Sequence, residues 1–443
     1  MWREVNMKWN LFWTAVSKVL AVMTVTLIVA LTLAPGASAA VTYKVLHQFN
    51  GTDGAYPHDF SGLIFDASGN LYGTTTTGGA YGYGTVFQLR PNTDGSWTES
   101  VLYSFSGGSD GANPDIGVIF DASGNLYGAT LGGGDHGSGT VFKLTPSLDG
   151  SWTESVLYSF TGGADGLMPG IWIVDATGAI YGTSIGGKYR CGNPLGCGVV
   201  FKLTPNSDGT WTESVLHSFR ISSNDNTVGG LIFDKAGNLY GATNGEAYSQ
   251  CCGVVYELIP QQNGTWQYKI LHQFTWSDHA GFSPGSSQLV FDQAGSLYSA
   301  TAWGGGGDGC KYGLGCGTVL KLTPGSDGKW REHVLYRFKG GTDAEQPTAG
   351  VVFDAAGNLW GTTLGGGGGS CSEVWGNSGC GTVYKLTPNS TGGWTEHVVH
   401  RFRGFAGGNP FGGLVVDGNG DIYGAASGEG TSGSSGSVFE ITP

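Results

Sequence analysis

Positive charge is scarce in this 443-residue chain, with 21 Lys and Arg against 34 Asp and Glu, and charged residues of either sign make up only 12% of it. The formal net charge of −13 provides no basic field to compensate phosphate, which argues against nucleic acid or an anionic membrane as a partner. Beyond the N-terminus no stretch keeps a helical apolar period, so a helical bundle is excluded. C-x-x-C is absent, which removes a thioredoxin-like redox role. G-x-S-x-G, H-E-x-x-H, P-loop and dinucleotide fingerprints are missing from any suitable context. The many glycine clusters are therefore loops and not phosphate cradles, because no helix follows them.

What is abundant is glycine and aromatic side chains: 82 Gly, 14 Trp, 19 Tyr and 21 Phe. That profile suits close-packed β structure with many tight turns. The one long apolar run, 19-VLAVMTVTLIVALTLA-34, follows a segment carrying Arg3, Lys8 and Lys18 and precedes 35-PGASAAV-41. This order reads as a secretory signal over residues 1–40, with Ala37 and Ala39 at the small positions, and 16 apolar residues are short of the roughly 20 a spanning helix needs. Removing residues 1–40 takes away three positive charges and one negative, leaving a net charge near −15. All eight cysteines fall after the signal, and an even number in an exported chain points to disulfides.

The segment 62-GLIFDASGNLYGTT-75 is the first of seven copies, aligned on Asp66, Asp121, Asp175, Asp234, Asp292, Asp354 and Asp417 at intervals of 55, 54, 59, 58, 62 and 63 residues. Each interval holds four strand-like pieces, exemplified by GLIFD, NLYGTT, GTVFQL and WTESVLYSF. The continuous apolar text of GLIFD predicts an innermost strand buried on both faces, and the more polar WTESVLYSF predicts the outer rim. After the signal the chain begins with 41-VTYKVLHQF-49, a fourth-strand text, and ends with 436-GSVFEITP-443, a third-strand text. The expectation is an all-β fold: a single seven-bladed β-propeller over residues 41–443, of four-stranded antiparallel blades, closed by the N-terminal strand joining the last blade. An open β solenoid would not explain the complementary ends.

The repetition itself argues that DASGN is scaffold. Asp and Asn bond local backbone N–H groups, and Gly69 or Gly124 supplies positive φ; one carboxylate per turn is a poor set for Ca²⁺, which takes about 6–8 oxygens. The hairpins 91-PNTDGSW-97 and relatives resemble the Asp-box turns of sialidase-type propellers, one residue tighter between Gly and Trp; such turns mark scaffold, and their Trp is expected against a neighbouring strand or blade. The loops between rim and inner strands and those after the second strand share the opposite face. They are the longest and most variable segments, so recognition is expected there. Cys197, Cys252, Cys316 and Cys380 hold one repeat position in these loops, with Cys191–Cys197, Cys310–Cys316 and Cys371–Cys380 expected as intra-loop bridges, and Cys251 and Cys252 either a vicinal pair or joined elsewhere. Zinc on these cysteines is disfavoured by the oxidising compartment and their separation into different blades.

His47, His217, His272 and His400 occupy a rim-strand site where other copies have Tyr103, Tyr158 and Tyr336, and read as packing residues. His58, His136 and His279, beside Asp59, Asp135 and Asp278, read as solvated loop residues in place of acid–base pairs. Asp53, Asp110, Asp165, Asp225, Asp278 and Asp343 recur in the first loop set, which favours a turn role over a ring of cation-attracting carboxylates. Tyr56, Tyr81, Trp276, Trp303, Tyr312 and Trp375 are the loop-face aromatics available to stack on sugars or hold a peptide. No catalytic, cofactor-binding or metal-ligating residue is assigned.

The text G-x-[LIV]-[IVF]-x-D-x-x-G-N-L-Y-G-[TA]-T, then G-G, then G-T-V-F-K-L-T-P, resembles the bacterial GloVer tandem-repeat family over residues 43–442. Copy three departs at 175-DATGAIYG-182, copy five at Ser299 and copy seven at 417-DGNGDIYG-424. The resemblance implies an exported repeat protein and carries over no catalytic residue. The expected role is a secreted or periplasmic, monomeric, non-enzymatic binding or scaffold module with a glycan or extracellular protein as partner. A carbohydrate-active hydrolase or lyase, and a structural cell-envelope protein, are the alternatives.

Overall fold

Short β-branched and aromatic segments punctuated by glycine turns cannot bury their faces alone, and here they do so as seven sheets around one axis. The computed structural model describes residues 41–443 except 58–61, 190–194, 221–225, 228, 245–251, 276–280, 285–287, 307–309, 311–312, 370, 372–378, 405–406 and 429–433. The expected signal segment lies outside the described residues. β1 (Thr42–Gln48) stands apart in the chain from the first blade, which consists of β2 (Ile64–Phe65), β3 (Leu71–Thr75), β4 (Thr85–Pro91) and β5 (Trp97–Ser104), paired antiparallel in that order. Five further blades repeat the meander, and blade 4 gains a short strand, Asn226–Thr227. The protein is thus a seven-bladed β-propeller, and no α-helix occurs among the described residues.

The seventh blade has only three strands of its own, Val415–Val416, Ile422–Ala426 and Ser437–Thr442, and β1 adds the fourth, with Thr42 opposite Thr442 and Gln48 opposite Ser437. Complementary ends in the sequence have become one sheet. The expected radial order also holds, since second strands such as β3 are buried throughout while rim strands such as β5 alternate. One detail differs. Leu63 is buried, yet Ile64 and Phe65 of the innermost strand are only half-buried, because one side of that strand faces the axis and not another sheet. Innermost strands of four successive blades line a largely apolar, open cavity of ≈ 300 Å³, with Ile232, Val290, Val352 and Leu414 among its walls.

Adjacent blades are joined by a device that recurs at six seams among the described residues. Tyr56, Asn113, Met168, Ser283, Gln346 and Asn409 have φ between 50° and 58°, and each immediately precedes a proline. At the seam of blades 1 and 2, Asn113 N–H donates to Tyr83 O of the preceding blade at 2.8 Å, and Asn113 O accepts from Leu131 N–H of its own blade at 3.0 Å. At the ring closure Tyr56 N–H bonds Ser435 O and Tyr56 O accepts from Thr76 N–H. The following proline then packs on the glycine that opens the preceding blade's third strand. A Cβ on Gly436 (φ 92°) would collide with Pro57, and one on Gly84 with Pro114.

Gly436→Ala is therefore expected to cost about 1–3 kcal/mol more than Gly69→Ala. Gly69 has φ 81° and open space around its Cβ position, so its substitution carries only the backbone cost of about 1 kcal/mol. Urea unfolding of both variants measures the difference; equal losses would show that the Gly–Pro contact holds nothing.

Candidate functional site

On the face of the DASGN turns, the Asp66 carboxylate accepts from Ser68 N–H, Asn70 N–H, Asn70 Nδ2 and Tyr72 Oη at 2.7–3.0 Å. Burial pushes its pKa up, but these bonds outweigh that and hold it below the ordinary value. Gly69 and Gly124 have φ 81°. The turn chemistry read from sequence is in place. The hairpin Trp residues reach the blade before their own: Trp97 lies 6.1 Å from Tyr423, and Trp152, Trp266 and Trp330 each 6.4 Å from Tyr72, Tyr181 and Tyr240.

At the outer rim each seam carries a polar station that sequence spacing does not assemble, because its members come from two blades. Between blades 1 and 2, Tyr103 Oη donates to Asp110 at 3.1 Å. Asp110 also accepts from Ser106 N–H, Ser106 Oγ and Gly108 N–H, and Glu154 of blade 2 approaches from the far side, close enough for its charge to bear on Tyr103. The same arrangement recurs as Tyr158, Asp165 and Glu213, and as Tyr336, Asp343 and Glu396. The recurring loop aspartates thus fold their loops, as their repetition implies. Burial first, and the neighbouring Asp110, Asp165 and Asp343 carboxylates second, push Glu154, Glu213 and Glu396 up to about 7. In Glu99, Glu154, Glu213, Glu332 and Glu396, Oε1 is sealed from solvent without a hydrogen-bond partner among the described residues.

Histidine enters these stations in two ways. Where the rim strand has Tyr in place of Glu, the imidazole stacks on it: His217 on Tyr268 at 4.2 Å and His400 on Tyr43 at 3.7 Å. Burial, with Arg220 and Arg403 adding to it, pushes these two histidines down to about 4. Where Glu is kept, the imidazole meets carboxylates: His47 Nε2 lies 3.1 Å from Asp53 Oδ2, and His272 Nε2 lies 3.1 Å from Glu332 Oε2. All four rings also pack edge-on against the Phe two residues on, as Tyr103 does. The packing role read for these histidines is present, and the charged environment of two of them was missed.

On the loop face, Cys310–Cys316 and Cys371–Cys380 are bridged as expected, with Cα separations of 5.4 and 5.1 Å. Cys197 and Cys252 are bridged too, but the Cys191–Cys197 pairing and the Cys251–Cys252 alternatives involve residues outside the described ones. Cys316 O and Cys380 O accept the seam bonds of Gln346 and Asn409, so these disulfides brace the acceptors on which the next blade is hung. Asp135 and His136 are exposed loop residues. His58, Asp59, Asp225, Asp278, His279, Trp276, Tyr312 and Trp375 lie outside the described residues. Tyr56 is taken up by the ring closure and Trp303 packs on the core, while Tyr81 stays 63% exposed.

The sequence profile of the Gloeobacter/Verrucomicrobia repeat matches residues 32–195, 187–375 and 246–443. No curated protein matches the chain by sequence. Among solved structures, it is similar to PorZ, an essential bacterial surface component of the type-IX secretion system of Porphyromonas gingivalis, with a TM-score of 0.49 and 15% identity over 87% of this chain and 46% of that one. The chain spans about half the length of PorZ.

Two outcomes are expected of the seams. Folded Glu154, Glu213 and Glu396 keep their protons to about pH 7, whereas the unfolded chain releases them near 4.5. The folded state binds more protons in that window, so stability falls as pH rises through it. Thermal unfolding between about pH 5 and 8 should show this slope, and the triple variant Glu154→Gln, Glu213→Gln, Glu396→Gln should flatten it; an unchanged slope would assign it to other groups. Replacing both Cys371 and Cys380 by Ser should lower stability by about 2 kcal/mol and raise amide exchange at Asn409, whose N–H bonds Cys380 O. Exchange at the distant Asn113 serves as the internal control.

Proposed function

The chain belongs to the Gloeobacter/Verrucomicrobia repeat family, and from that premise we propose that it is an exported, non-enzymatic recognition module whose loop face binds a glycan or an extracellular protein. The basic, apolar and small-residue order of residues 1–40 and the bridged cysteines support export. Among the described residues no helix is long and apolar enough to cross a membrane.

The observation that carries the binding reading is the exposure of large apolar side chains on a face whose backbone is otherwise tightly bonded. Tyr81 (63%), Tyr83 (45%), Met168 (40%) and Leu195 (43%) are held out on the loops of blades 1 to 3. Their loops are fixed by neighbours: Tyr83 O accepts from Asn113 N–H, and Met168 N–H donates to Ser138 O. Rigid presentation lowers the ordering cost of binding, and tyrosine offers both an apolar ring for stacking and a hydroxyl. The axial cavity, by contrast, is lined by aliphatic and aromatic side chains, glycines and Gln288, which supports a structural axis more than a catalytic one.

Glycan-array binding by the purified protein, run beside a glycosidase and lyase panel, tests this reading. Binding should weaken at least tenfold in the double variant Tyr81→Ala, Tyr83→Ala with the fold retained. Reproducible turnover without such a bound ligand would sink it in favour of an enzyme.

A further inference from the structure

The seven rim stations are not equivalent, and the one at the ring closure brings an imidazole together with two described carboxylates. It combines His47 from β1, Asp53 from the loop that follows and Glu99 from β5. β1 is the outermost strand of blade 7 and β5 that of blade 1, so the three side chains meet across the seam where the two ends of the ring join. One ligand atom from each lies within 4.8 Å of the other two. At the sister stations with a described loop aspartate, Tyr103, Tyr158 and Tyr336 stand where His47 stands here, and a phenol is a much poorer ligand at neutral pH than an imidazole.

We infer that His47, Asp53 and Glu99 form a binding site for a first-row divalent cation, zinc foremost, which ties the ring-closing strand to blade 1. Three features carry this beyond a chance grouping. The donor set, one imidazole nitrogen and two carboxylate oxygens, suits zinc with a fourth position left for water. The set is already oriented: Asn50 N–H and Nδ2 each bond Asp53 at 2.9 Å, and the His47 ring is fixed edge-on against Phe49 at 4.8 Å. The third ligand has an unmet need, which it shares with Glu at four sister stations, since Glu99 Oε1 is sealed from solvent and lacks a hydrogen-bond partner among the described residues. Zinc–ligand bonds of about 2.0–2.2 Å require the three atoms to draw slightly together, a movement within reach of side-chain rotation. The 3.1 Å contact between His47 Nε2 and Asp53 Oδ2 already brings two of the three ligand atoms together.

The test uses the purified protein, stripped with chelator and titrated with Zn²⁺ by calorimetry, with thermal unfolding in parallel and Ca²⁺ and Mg²⁺ as comparison ions. One Zn²⁺ per chain is expected, together with a raised Tm and weaker binding of the two harder ions. His47→Tyr recreates the residue found at the sister stations, so it should fold with little change in metal-free Tm while losing more than tenfold in zinc affinity and the zinc-induced rise. Glu99→Gln should lose affinity as well and serves as the second variant if His47→Tyr fails to fold. Zinc binding that survives in the folded variants, absence of stoichiometric binding to the parent, or a preference for Ca²⁺ would each overturn the assignment. None of these outcomes depends on the loop-face ligand.

Discussion

The ring depends on a residue that pays a conformational cost to face two blades at once. Tyr56, Asn113, Met168, Ser283, Gln346 and Asn409 sit at positive φ without being glycine, a conformation that costs about 1–3 kcal/mol and persists only where surrounding structure enforces it. What enforces it is a backbone N–H bonded to the preceding blade, with the carbonyls of Tyr56, Asn113, Ser283, Gln346 and Asn409 bonded to the blade that follows, and a proline seated on the glycine of the neighbour. Proline restricts the unfolded chain as well, which offsets part of the strain.

Around that latch the seams differ by radius. Toward the axis, innermost strands approach so closely that a Cβ on Gly62 would press on the backbone of Gly413 and one on Gly350 would collide with that of Gln288. Farther out, Trp and Tyr rings from successive blades meet at 6.1–6.4 Å. At the rim, a phenol or imidazole of one blade faces a carboxyl or phenol of the next. Blades 4 and 7 form a matched pair within this scheme. Their third strands carry Glu257 and Glu440 where four other blades have Lys143, Lys202, Lys321 and Lys385, and their fourth strands answer with Lys269 at 3.2 Å and Lys44 at 3.9 Å. Tyr268 and Tyr43 replace Glu in those same strands and stack on His217 and His400. The closing strand thus has the side chains that suit a third strand bearing Glu.

Much of this was legible in the sequence. The repeat of Asp66 through Asp417 at blade spacing indicated the number of sheets, and the fourth-strand text at residues 41–49 with third-strand text at the end indicated how the ring closes. Turn glycines, the Asp66 and Asp110 loops and the bridges Cys310–Cys316 and Cys371–Cys380 were readable because their partners lie within ten residues along the chain. The latch was not, although each of its prolines was visible in the loops. Pro57 is separated from Gly436 by almost the whole chain, and an asparagine or tyrosine before proline does not announce positive φ, a conformation local sterics disfavour.

The site residues divide in the same way. His47 and its counterparts read as packing positions from their exchange with tyrosine, and their edge-on contacts with Phe49, Phe219, Phe274 and Phe402 bear that out. That His47 also meets Glu99, while His217 meets Tyr268, followed only from the seam, since each partner belongs to the next sheet. The sequence by itself determined the strand text, the turns, the number of blades and their closure, all properties of short-range hydrogen bonding and alternation repeated seven times. Tertiary structure decided which carboxyl faces which ring and which loop residue carries strain, because those contacts arise where two blades are brought together and no spacing within one repeat encodes them.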